Sequence, residues 1–133
     1  VFEALAETAA ACAGLVVIRP EAARRSVAGR EWPQAAPPAA SGTVDDLLAA
    51  VFQASGNRPL ADGGVAIRCR LLPYWRLLGK EAERWSVAGL DAQAEVVAGI
   101  GAGDGRRARR AMRTFILAAR DMALRGIPAS ALP

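Results

Sequence analysis

The chain has 133 residues, of which 53% are hydrophobic and 23% charged, enough for one domain with a buried core. Its net charge of +4 comes almost wholly from arginine, because Lys80 is its sole lysine. It contains no histidine and only two cysteines, Cys12 and Cys69. That excludes imidazole acid–base chemistry, Ser–His and Cys–His pairs, histidine-based metal sites and a disulfide framework.

Val1 to about Val17 is rich in alanine, and Phe2, Leu5, Ala9, Cys12 and Val16 recur at helical spacing. Pro20 ends this helix and starts another, PEAARRSVAG. Three prolines in REWPQAAPPAASG, residues 30–42, predict a loop that is long for a helical domain. Thr43 to Ser55 reads as a helix with Thr43 as its cap and Asp46 three residues on. Its stripe is Val44, Leu48, Val51 and Ser55, widened by Leu47 and Phe52.

Gly56-Asn57-Arg58-Pro59 is a stop and restart. A long helix is expected from Leu60 to Leu78, kinked ahead of Pro73. Another helix runs from about Ser86 to Ile100, with Leu90, Gln93, Val97 and Ile100 on one face. Gly101-Ala102-Gly103 ends it and Asp104 caps the last helix. There Ala108, Met112, Phe115, Ala119 and Met122 point inward, while Arg106, Arg109, Arg110, Arg113 and Arg120 fall mostly outside. The fold class expected is all-α, a single domain over residues 1–133 built as an antiparallel bundle of about six or seven helices.

Both cysteines fall inside predicted helices and read as small core residues, which suits a reducing, cytoplasmic compartment. No apolar run reaches the roughly 18 residues of a membrane span. ALAETAAACAGLVVI contains an acid and lacks a basic leader, so neither a signal peptide nor membrane attachment is expected. The chain does not begin with methionine, which fits a fragment or a processed form.

Enzyme chemistry is not expected. GIGAGDG at 99–105 looks like a nucleotide loop but follows no strand, so its glycines read as a joint between helices. Lys80 is followed by Glu81 rather than by the Ser or Thr of a phosphate loop. The paired acids Asp45–Asp46 and Glu81/Glu83 lie at a helix start or in a loop, where the dipole and solvent account for them.

Two stretches carry a resemblance. VDDLLAAVFQASGNRPLAD resembles the helix that ends in an Ala/Ser-Gly-Asn-Pro turn in the FCD domain, the ligand-sensing half of many GntR-type (FadR-like) transcription regulators. DAQAEVVAGIGAGDGRRARRAMRTFI looks like that family's closing signature: a His-bearing helix, an Ala-Ile-x-x-Gly-Asp turn, then Ala-x-x-x-Met-x-x-His. The resemblance spans about residues 43–125.

It implies an all-helical effector-sensing domain that dimerises. In many members an aspartate and three histidines hold a divalent metal that helps to bind a small carboxylate. The positions that the motifs place fall here at Val44, Leu48, Gln93 and Phe115, and Asp45 lies one residue, about 100°, out of register. Three apolar side chains and one amide do not make a metal site. The resemblance therefore implies a metal-free sensor with no cofactor. DNA contact would belong to an N-terminal winged helix-turn-helix domain not found in these residues.

On this reading Gln93 is either a satisfied core amide or a ligand-contacting group. Leu48 and Phe115 fill the volume of the missing metal. Arg68, Arg70 and Tyr74 are further ligand candidates, because arginine clamps carboxylates, and Arg113 is a candidate at the cavity rim. An alternative is a protein-interaction module whose cavity is filled. A third is nucleic-acid binding through the arginine face of 106–125.

Overall fold

The computed structural model describes residues 2–30, 32, 40–71, 73 and 87–125. These form six helices and no strand: α1 (Phe2–Val17), α2 (Glu21–Ala28), α3 (Ala40–Ala54), α4 (Arg58–Arg70), α5 (Val87–Gly101) and α6 (Gly105–Arg125). Among the described residues no helix is long and apolar enough to cross a membrane.

The small side chains of α1 let it take a central place. Leu5, Ala6, Ala9, Ala10, Cys12, Ala13 and Val16 are all buried, which is more than one face of a helix, and α1 touches each of the other five. Its main partner is α6, and the second large contact joins α5 to α6. The pairs Arg113–Glu7 and Arg120–Glu3 make α1 and α6 antiparallel. The inward stripe expected of α6 is buried at every position: Ala108, Met112, Phe115, Ala119 and Met122.

The turn from α5 into α6 is closed by its own backbone. The Asp104 N–H donates to the Gly99 carbonyl at 2.9 Å and the Gly103 N–H to that of Ile100 at 3.1 Å. Gly103 has φ +71°, which a side chain resists. The Asp104 carboxylate then accepts from the Arg107 N–H at 3.0 Å and caps α6. The restart at α4 is equally local, with Asn57 Oδ1 accepting from the Leu60 N–H at 3.0 Å and Pro59 in the first turn.

Three expectations change. Helix α3 begins at Ala40, so Thr43 lies inside it and is not its cap. Ala40 and Ser41 tolerate helix, and a glycine at position 42 costs only about 1 kcal/mol relative to alanine. Helix α4 starts at Arg58 and ends at Arg70, with Leu71 as its C-cap, and does not run on to Leu78. A proline disfavours helix in the residue before it, and the break at Leu71 lies just ahead of Pro73, which is itself helical. Residues 74–78 lie outside those described.

Cys12 is buried and Cys69 exposed, so the core placement holds for the first alone. Helix α4 turns Leu60, Gly64 and Ile67 toward the core. Cys69 follows Ile67 by two residues, about 200° around the helix. Burial also pushes the Cys12 thiol up, partly offset by its contact with Ser55. In the folded protein Cys69 should react with a maleimide well before Cys12, with both reacting after unfolding. Mass spectrometry over a labelling time course checks this, and equal rates would contradict the burial of Cys12.

Helices α5 and α6 meet most closely at Gly99, where a Cβ would come within 2.8 Å of the Ala108 backbone nitrogen. Backbone cannot rotate away, so Gly99→Ala should destabilise by about 1–3 kcal/mol. Nothing lies within 4 Å of a Cβ at Gly63, and Gly63→Ala within α4 should instead stabilise by roughly 0.5–1 kcal/mol. Urea unfolding of the two variants gives the sign of each.

Candidate functional site

Gln93 sits at the middle of α5 and is 2% exposed, one of two buried polar residues in the described structure. It belongs to the inward side of α5 with Val96 and Ile100, both fully buried. Phe115 and Leu48 are also at 0% exposure, and both are part of the one continuous apolar core. The structure therefore carries all three side chains inward, as the spacing on α3, α5 and α6 predicts.

The four positions do not fit a divalent cation. Leucine, phenylalanine and valine carry no donor atom, and an amide oxygen alone is a weak ligand. Among the described residues no group of three or more His, Cys, Asp or Glu is gathered within reach of one ion.

The remaining candidates lie elsewhere. Arg68 is half-buried and Arg70 exposed in the last turn of α4. Tyr74 lies outside the described residues. Arg113 is on the outer surface of α6, where its guanidinium donates to both carboxylate oxygens of Glu7 at 2.7 and 3.0 Å. It joins α6 to α1 and does not approach Gln93 from a cavity rim.

Among the described residues, two depressions bear on the candidate site. The larger, about 380 Å³, lies between α5 and α6, with Ala92 and Ala111 as its floor and Asp91, Glu95, Arg107, Arg110 and Thr114 around it. Arg107 spans it with a two-pronged pair to Glu95 at 2.8 and 2.9 Å. The smaller, about 280 Å³, lies between α2 and the end of α5 and is lined by Glu21, Arg24, Arg25, Ala28, Gly29 and Gly101. None of the sequence-predicted candidates lines either one. The larger groove had a signal, since alanines face each other where antiparallel helices meet. Finding it required the pairing of α5 with α6, which spacing within one helix does not supply.

The surface carboxylates are held by these arginines. Arg113 lowers the Glu7 carboxyl below its ordinary value of 4.5, and Arg107 does the same to Glu95. Glu3 is lowered first by a backbone hydrogen bond and then by Arg120. A carboxylate lowered in the folded state adds stability that is complete above its unfolded value. That stability is lost as pH falls through the folded value. The melting temperature should therefore respond little to these groups near neutrality and fall below about pH 4.5, and Glu7→Gln should shrink the fall. Calorimetry from pH 7 downward tests this, and an unchanged slope in the variant would remove the pair from the account.

No protein-family model, no curated protein and no solved structure matches the chain.

Proposed function

We propose that this chain is an FCD-like effector-sensing and dimerisation domain of a GntR-type, FadR-like transcription regulator, of a metal-free kind. It is read as a cytoplasmic homodimer and not as an enzyme. Its effector is a small organic acid or a similar compound, and DNA is read by a winged helix-turn-helix domain outside these residues.

The observation that carries the reading is the burial of Gln93. An amide in an apolar core costs stability unless its hydrogen bonds are satisfied, so its place there calls for polar partners, from the protein or from a ligand. Gln93 stands at the position where the closing signature of the family places a ligand-binding side chain. The capped turn at Asp104 and the restart at Asn57 stand at the matching intervals, which supports the same reading.

A specific observation favours a second reading. Leu48 and Phe115 are both fully buried within the core, as a filled interaction module requires.

Thermal unfolding against a panel of small carboxylates, acyl-CoA compounds and divalent metals separates the two readings. A ligand at about 100 times its dissociation constant stabilises by about 2.7 kcal/mol, a shift of several degrees for a domain of this size. The sensor reading expects that shift from an organic acid, none from zinc, nickel or manganese, and its loss in Gln93→Leu, which keeps the side-chain volume. A clear metal shift would overturn the metal-free assignment. No shift with any compound would leave the filled module as the function.

A further inference from the structure

Two groups of described arginines differ in what they touch. From the middle of α6 toward its finish, Arg113 and Arg120 are paired with Glu7, Glu3 and Asp121. One end of the bundle brings together the finish of α1, helix α2, the α3–α4 turn and the α5–α6 turn. Three described acids there are engaged: Glu21 with Arg25 at 2.8 Å, Asp62 near Arg58 at 3.8 Å, and Asp104 in the cap of α6. Among the described residues, Arg19, Arg24, Arg106 and Arg109 at this end hold no carboxylate.

Three of these four are seated on glycine rather than on an acid. The Arg19 guanidinium lies where a Cβ on Gly56 would stand, within 2.6–2.9 Å of it. Arg24 Nη1 lies 3.2 Å from the corresponding point on Gly103, and Arg109 covers Gly14. Arg24 Nε is also buried without a hydrogen-bond partner. A guanidinium laid flat on backbone has already lost much of its rotamer freedom, so less remains to be lost on binding an anion. Its charge stays uncompensated.

We propose that this end of the bundle, through Arg19, Arg24, Arg106 and Arg109, binds the phosphate backbone of duplex nucleic acid without reading its sequence. The chemistry at this end discriminates among polyanions. A single strand is held by stacking its bases on open aromatic rings. Phe52, beside the α3–α4 turn, is buried, and the ring of Trp32 is covered by Arg30 at 4.8 Å while its Nε1 donates to the Val27 carbonyl. An anionic membrane needs an apolar face to enter it, and among the described residues this end exposes one large apolar side chain, Ile18 at 77%. What remains is a group of forked cations matched to phosphate oxygens. The inference does not depend on the FCD-like reading, which places DNA contact in a different domain.

The test is fluorescence anisotropy of a labelled short duplex of mixed sequence, titrated with the intact chain at several salt concentrations. Each phosphate neutralised contributes a slope of about −0.9 to log K against log salt, so four arginines give about −3.6. Binding should then weaken by roughly two orders of magnitude between about 50 and 200 mM salt. Arg106→Gln should reduce the slope by about one, and the quadruple glutamine variant should abolish binding while its circular dichroism stays helical. Arg120→Gln, at the opposite end, should leave binding unchanged. No binding at low salt, equal loss in Arg120→Gln, tighter binding of a single strand, or binding to phosphatidylserine vesicles in place of the duplex would each overturn the proposal.

Discussion

The structure depends on how closely α6 can lie between α1 and α5. Both contacts are made through residues with little side chain: alanines and Gly14 on α1, Gly99 on α5, Ala108 and Ala111 on α6. Close approach brings backbone and short side chains into contact over a long interface, so that many small dispersion terms accumulate. The larger side chains, Leu47, Leu48, Met112, Phe115 and Ile116 among them, fill the remaining volume. The α5–α6 turn follows from the same constraint, because a helix returning at short range needs the left-handed residue that Gly103 supplies.

What could be read from the sequence was what is decided locally. The caps at Asn57 and Asp104 join a side chain to backbone three residues away, and the inward stripe of α6 follows from helical spacing alone. Gln93 and Phe115 were therefore legible as buried positions. The start of α3 was not, because alanine, serine and glycine are only weakly biased against helix. The fate of Cys69 depended on which side of α4 meets the core. The partner of Arg113, Glu7, lies 106 positions away. No spacing rule within one helix links the two, and the expectation of Arg113 at a cavity rim had no access to it.

The interior and the surface of the molecule thus pose different functional questions. The interior holds an amide among apolar side chains, at the place where the proposed sensor would meet its ligand. The described surface carries a group of arginines without a carboxylate partner at one end, where four helix-terminal segments converge. An effector recognised by the first and a polyanion recognised by the second would touch separate parts of the bundle. Both parts nevertheless involve the α5–α6 turn, since Gln93 lies on the helix that ends there and Arg24 rests on Gly103. Motion of α5 on ligand binding would be felt at the basic end without a longer route.

The contact between α1 and α6 has one more consequence. The small buried residues of α1 say less about the axial alignment of the two helices than its larger ones, Phe2, Leu5 and Val16, do. The arginines mark the same alignment. Arg113 meets Glu7, Arg120 meets Glu3 and Arg109 lies over Gly14. Sliding α6 by one turn in either direction would keep at most one of the two ion pairs. It would also carry Arg109 off the glycine onto a bulkier residue. Exposed ion pairs add little to stability, but here they match the register that the apolar packing sets, much as charged flanks support alignment in coiled coils.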